Sequence, residues 1–233
     1  MNKVIEAEEL EVTDLSKEEE YLKYRRSFLG RLKDVLVFIF VIIGFYYFYL
    51  FAEKKKDFLI AFSFIILAPI LINLPAIIYR RVRWINEKYS VNLLKFYEWS
   101  GLLFLVLSGT GSIYLWYLPI QFDCFVHFIE TFLAVLMIVI AFSIWREHRH
   151  GKHLSAEQVW KVFMPLAIVI SVGWEIYQFV GDRLMGTKMF FDFNQVMMID
   201  ALTDMLSGIA GSYFGGRLVA KKYWEKILKV FQS

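Results

Sequence analysis

Eight polar residues interrupt three otherwise apolar stretches of this 233-residue chain: Asp123, His127 and Glu130; Glu175, Gln178 and Asp182; Asp200 and Asp204. An imidazole set among carboxylates has two chemistries open to it. It can pass protons as a general acid or base. It can also join the carboxylates in holding a divalent ion such as Zn, Mn or Mg, which would polarise a carbonyl or phosphoryl oxygen or activate water. The spacing is helical. Positions 123, 127 and 130 are i, i+4 and i+7; 175, 178 and 182 are i, i+3 and i+7; 200 and 204 are i and i+4, so each set lies on one helix face. The candidate catalytic and metal-ligating set is Asp123, His127, Glu175, Asp200 and Asp204, with Glu130, Gln178 and Asp182 beside it. The competing reading is a structural polar network that ties three helices together, with some carboxylates protonated.

The stretches that carry these residues have to be membrane spans. The chain is 58% hydrophobic, has a mean hydropathy of +0.49 and holds 23 Phe and 13 Tyr, too apolar for a soluble domain of its length. Apolar runs recur at about 34–52, 58–79, 98–119, 122–145, 160–181 and 197–217. About 20 residues at 1.5 Å rise cross a hydrocarbon core about 30 Å thick. The sequence therefore predicts an all-α, polytopic membrane protein: a six-transmembrane-helix bundle in one domain, residues 32–219. A tail over 1–31, acidic and then basic, precedes it, and a basic amphipathic tail over 220–233 follows. Pro69 and Pro75 are expected to kink the second span. The acidic start predicts no cleavable secretory signal and a disordered tail over residues 1–20.

Lysine and arginine orient the bundle. With the N-terminus inside, 20 of them fall on inner segments (17–33, 80–95, 146–161 and 217–229) and five on outer loops (54–56, 183 and 188). Both termini are expected to be cytoplasmic, in a multi-pass protein of the cell membrane. Depth follows from helix length. Fifteen residues separate Glu130 from Arg146, 13 separate Lys161 from Glu175, and 12 separate Asp204 from Arg217. These are about 22, 20 and 18 Å of helix, all short of the core thickness, so Glu130, Glu175 and Asp204 lie within hydrocarbon. A charge there costs at least about 2.5–3.5 kcal/mol on insertion scales and normally faces a bundle interior or a water-filled cavity. Spans of alternating direction place all three polar stripes in the same outer third, where one cavity open to the outside accommodates them. Ser207, Gly208, Gly211 and Gly215 form a small-residue stripe that predicts close, central packing of the last span.

The segments "FDCFVHF", "GWEIYQFVGD" and "IDALTDMLSGIAG" resemble the signature of the YjdF-type family of uncharacterised bacterial inner-membrane proteins, itself similar in pattern to the VanZ-like proteins. The shared pattern is an Asp four residues before a His-Phe pair, a Glu on the next helix, and two acids four apart on the last helix, followed by Gly or Ala. Here it falls on Asp123, His127, Glu175, Asp200 and Asp204, within residues 120–216. VanZ-like proteins usually carry Asn where Asp204 stands, and YjdF-type members usually carry Trp where Ile199 stands. The resemblance implies an architecture and a site, and brings no established activity with it.

Other features read more plainly. Lone Cys124 excludes an internal disulfide and a Cys-based metal site. Glu130 reads as an ally of the site or a protonated helix contact, Gln178 as an interhelical hydrogen bond, and Asp182 and Asp192 as solvated loop-end acids. Trp174 reads as a core or belt aromatic before a ligand-stacking one, and Tyr114, Trp116 and Tyr117 as an outer aromatic belt. The histidines of "REHRHGKH", 146–153, read as part of a solvated basic loop. "KKYWEKILKVF", 221–231, fits a basic amphipathic helix on the inner leaflet. Basic residues that flank apolar spans exclude a nucleic-acid partner, leaving membrane lipid and a small-molecule or lipid-linked ligand. The leading expectation is a metal-dependent membrane-embedded enzyme acting on a lipid or lipid-linked substrate of the cell envelope. The alternatives are a proton- or cation-coupled small-molecule transporter and a non-catalytic membrane structural or interaction protein.

Overall fold

The computed structural model describes residues 16–54, 65–66, 68–114, 120–185 and 197–232, without the side chains of 47, 50–54, 109–114, 120, 121, 181, 182, 185 and 197. The chain there is helical: α1 (16–26), α2 (Phe28–Lys54), α3 (Ala68–Arg81), α4 (Arg83–Lys88), α5 (Val91–Tyr114), α6 (Ile120–His150), α7 (Ala156–Met185) and α8 (Met197–Leu218). A π-helical turn, Val219–Tyr223, then leads into α9 (Trp224–Phe231). Pairing of a β kind among the described residues is limited to one bridge, Tyr89 with Gln232.

Among the described residues, three helices are long and apolar enough to cross a membrane, over Val91–Ser108, Phe122–His150 and Ala156–Val180. They overlap the expected third, fourth and fifth spans. Most of the first half of the expected second span lies outside the described residues. The 22-residue α8 is interrupted by Asp200, Asp204 and Arg217, which dilute its apolar character. Large apolar side chains stand exposed along α2 (Phe38, Phe45), α7 (Val169, Ile176) and α8 (Leu202, Leu206). Apolar surface of this extent is what a bundle turns toward lipid.

Helix α8 is the spine of the second half, packed against α6 and α7. A methyl group added at Gly211 would strike the backbone carbonyl of Phe128, and one at Gly215 the Phe132 ring, both on α6. One at Gly216 would meet the Phe163 ring of α7 at 2.6 Å. The small-residue stripe thus does what its spacing predicts: it lets backbones approach. The order of contacts also gives direction. Position 127 faces 204 and 132 faces 215, whereas 171 faces 208 and 163 faces 216, so α6 and α8 run the same way and α7 runs against them. A core of Val135, Val139, Ile140, Phe163 and Ala167 lies between these helices.

Two terminal segments depart from expectation. Residues 16–26, the first of which fall in the tail expected to be disordered, are helical, and Tyr24 is buried against Ala76, Tyr79 and Leu94. Helix α9 is amphipathic as predicted, but its apolar face is turned inward: Trp224, Leu228 and Phe231 are buried in the main core with Tyr89 and Leu154. The Trp224 indole N–H donates to the Leu154 carbonyl at 2.7 Å, and the Ser90 N–H to the Phe231 carbonyl at 2.7 Å. Amphipathicity specifies an apolar face and not the surface that covers it; here the protein's own bundle covers it.

Candidate functional site

The polar faces of α6, α7 and α8 meet. His127 Nε2 lies 3.6 Å from Asp123 Oδ1 one turn earlier on α6 and 3.5 Å from Asp204 Oδ2 on α8. One ligating atom from each of Asp123, His127 and Asp204 falls within 4.8 Å of the other two. Asp204 shares a hydrogen bond with Asp123, and Asp200 and Glu175 stand close enough for their charges to act on it. Glu175 in turn feels Asp200 and Asp123. His127, Glu175, Asp200 and Asp204 are each 5–8% exposed, while Asp123 is half-buried. Carboxylates this close repel one another unless a proton or a cation lies among them. Asp123 and Asp200 fall in the first turns of α6 and α8, where the positive ends of the helix dipoles favour negative charge.

The flanking residues divide. Glu130 is buried and turns to α5, accepting the Ser108 hydroxyl at 2.7 Å. Of its two readings it makes the helix contact, although the charge of Asp123 still reaches it. Gln178 is half-buried one turn beyond Glu175. The side chain of Asp182 and all of Asp192 lie outside the described residues, as do Trp116, Tyr117 and the side chain of Tyr114. Trp174 sits edge-on to Phe104 of α5 with centroids 6.1 Å apart, and beside Tyr177 at 5.5 Å. It is an aromatic of the helix interface.

A second polar network, in the half where the sequence offers no distinctive motif, escaped sequence reasoning. Lys33 of α2 and Glu98 of α5 are both 0% exposed and pair at 2.7 Å. The Tyr24 hydroxyl donates to the other Glu98 oxygen at 2.6 Å, and the Lys33 ammonium also reaches Asn73 of α3 at 3.4 Å. Burial, and then the Glu98 carboxylate, hold the Tyr24 phenol well above its ordinary range. The signal was present but weak: opposite charges at the same end of two neighbouring spans.

A third network lies around the loop read as solvated and basic. Arg149, His150 and Lys152 are exposed as expected. His148, however, stacks on Trp84 with centroids 4.1 Å apart, and His153 pairs with Glu147 at 2.9 Å. Glu147 also binds Lys88 at 2.7 Å and accepts the Tyr89 hydroxyl. Burial pushes the His153 imidazole below its ordinary value, against the opposing pull of Glu147.

Comparison with known proteins adds a family. No curated protein and no solved structure matches the chain. Residues 34–222 match the family described as Predicted membrane protein (DUF2238), the family of the YjdF-type proteins. The match runs from α2 to the π-helical turn; it begins one residue after Lys33 and takes in Glu98 and the carboxylate cluster. It covers most of the chain: this is a member of the DUF2238 family of predicted membrane proteins.

Proposed function

We propose that the His127/carboxylate cluster binds a divalent ion and is the site of a membrane-embedded enzyme that acts on a lipid or lipid-linked substrate of the cell envelope. The observation that carries the proposal is the triangle of Asp123, His127 and Asp204. Two ligand atoms at about 2.1 Å from one metal, at a tetrahedral angle, stand about 3.4 Å apart. The separations from His127 Nε2 to the two aspartates, 3.6 and 3.5 Å, come close to that. One nitrogen and two carboxylate donors form a set that Zn accepts and that Mn also tolerates. Asp123, His127 and Asp204 would hold the ion, which would supply Lewis acidity and a more acidic bound water. Glu175 and Asp200, buried and near enough for their charges to act on Asp204, would orient a water or take its proton. The same proposal includes six spans with both termini in the cytoplasm, a site facing outward, and kinship with the VanZ-like proteins.

Elemental analysis of the purified protein tests the metal, with wild type compared against His127→Ala and Asp204→Ala. Stoichiometric Zn or Mn in wild type and its loss in both variants is the expected result; equal metal in all three would sink the reading. Reporter fusions test the direction, since an external C-terminus would turn the cluster toward the cytoplasm.

One observation favours a second reading, a proton- or cation-coupled transporter. Lys33 and Glu98 form a further buried ionisable pair in the other half of the bundle, and transporters place such groups along an ion path. Uptake of acid by proteoliposomes that is abolished by Glu98→Gln would favour transport over catalysis.

A further inference from the structure

Opposite the glycines that pack on its neighbours, α8 carries a stripe of exposed apolar residues: Ile199, Leu202, Leu206, Tyr213, Phe214 and Leu218. The first three lie nine residues, two and a half turns, before Gly208, Gly211 and Gly215, and so on the far side of the helix. From Ile199 to Leu218 the helix rises about 28 Å, close to the thickness of a hydrocarbon core, about 30 Å. At the end away from Asp200 the stripe stops in cations. Arg217 is exposed and donates to the Tyr213 hydroxyl at 3.1 Å. The π-helical turn buries Val219 and Ala220 and leaves Lys221, Lys222 and Tyr223 exposed. On α9, Lys222, Lys226 and Lys229 follow at i, i+4 and i+7 on the face opposite the buried Trp224, Leu228 and Phe231.

These cations lack an internal answer. Lys33, Lys88 and Lys161 each pair with a glutamate, whereas none of Arg217, Lys221, Lys222, Lys226 and Lys229 meets a carboxylate among the described residues. Glu225, the acid of α9, acts on His153. Lys222 and Lys226 nevertheless lean over one ring, that of Tyr223, with Nζ 5.4 and 6.0 Å from its centroid. Like charges four residues apart on a helix repel, and an anion between them removes the repulsion. We infer that Arg217, Lys221, Lys222 and Lys226 form a site for the headgroup of an anionic phospholipid, with Phe214 and Leu218 against its acyl chains. The continuity of the cations with the apolar stripe selects a lipid: a soluble anion would meet the same charges and make no use of Phe214 and Leu218. Charge is also what α9 has left to offer a membrane, because its apolar face is taken by the bundle. The inference rests on α8 crossing the membrane, and on no other part of the proposed function.

The test is thermal unfolding of the full chain in a neutral detergent, titrated with dioctanoyl phosphatidylglycerol. The lipid is expected to raise Tm, and dioctanoyl phosphatidylcholine is not. Lys222→Gln with Lys226→Gln should move the half-point of the titration to a concentration about 25-fold higher. Arg149→Gln with Lys152→Gln, which removes two exposed charges elsewhere, should leave it in place. Equal shifts in the two double variants, no response of wild type, or equal protection by glycerol 3-phosphate each overturns the lipid site. If the first double variant does not fold, wild type decides: protection that survives intact in about 0.5 M salt, where screening acts over about 4 Å, overturns a site made of exposed cations. Leu206→Cys with Cys124→Ser, exposed to a water-soluble maleimide in phosphatidylcholine nanodiscs, tests the span separately. Reaction places α8 in water and defeats span and site together. Protection from the reagent without a response to phosphatidylglycerol defeats the site alone.

Discussion

In the first half of the bundle a lysine and a glutamate, both fully buried, answer each other at 2.7 Å, with Tyr24, Asn73 and the Arg25-paired Asp34 around them. In the second half four carboxyl groups act on one another, two of them beside one imidazole, and a buried serine one turn away is without a partner among the described residues. Both arrangements carry the desolvation cost of buried charge. The first is balanced in charge and hydrogen bonds, a set suited to hold four helices, α1, α2, α3 and α5, in register. The second sets four acids against one imidazole, a group whose members repel one another unless a proton or a cation lies among them. The difference teaches that burial of ionisable groups alone does not mark a candidate site, and that the balance of the partners is what separates the two arrangements.

The comparison breaks most severely at the Lys33–Glu98 pair. Lys33→Met or Glu98→Gln alone is expected to destabilise the protein by about 3–5 kcal/mol, because each leaves an uncompensated buried group. Lys33→Met combined with Glu98→Leu should recover most of that loss. Unfolding in a graded denaturing detergent measures it, and single variants as stable as wild type would show that the pair is no clamp. The carboxylate cluster should behave in the opposite way. Asp204→Asn keeps shape and removes one charge from a crowded set, so Tm should hold or rise while affinity for Zn²⁺ or Mn²⁺ falls at least about 100-fold. Calorimetric titration reads the affinity, and a variant that binds as tightly as wild type would move the cluster to the structural side of the comparison.

A smaller effect sharpens the role of the glycines. Gly211→Ala is expected to cost about 1–3 kcal/mol, since its methyl group meets the Phe128 backbone. Gly101→Ala, with nothing within 4 Å of the new methyl group, should be neutral or slightly stabilising. Equal losses at the two positions would contradict close packing of α8 on α6. The smallest effect expected is a pH dependence of the network around Glu147 and His153. The His153 imidazole is held below its ordinary value of 6.5 by burial. Its neutral form is therefore the one the fold prefers; the stability it contributes is present above the unfolded pKa and is lost as pH falls through the folded one. His153→Gln should flatten the Tm profile below about pH 6.5, and an unaltered slope would remove His153 as its cause.

The carboxylates of α6, α7 and α8 were legible in the sequence because a charge in the midst of an apolar run has no surface to explain it. The glycine stripe was legible for the same kind of reason, a spacing with few other uses. Lys33 and Glu98 stand at the ends of their runs, where a charge is expected whether or not it is buried, so their pairing is a fact of tertiary structure alone. The covering of Trp224, Leu228 and Phe231 was hidden because a helix with one apolar face fits a lipid surface and a protein core equally well. Glu130 lay between: its spacing joined it to His127, and only the position of Ser108 on α5 shows which way it turns.

The contact of Gly211 with the Phe128 carbonyl has a mechanical consequence. Two helices that touch backbone to backbone, with Gly215 on Phe132 a turn further on and Gly216 on Phe163 across the other side, are geared together and cannot slide past one another without separating. Asp204 therefore keeps its height relative to His127 in any motion that leaves α6 and α8 engaged. In the metal site proposed above, a rigid gauge of this sort would discriminate between ions by radius, favouring the cation that fits the fixed spacing over one that would need the spacing to stretch.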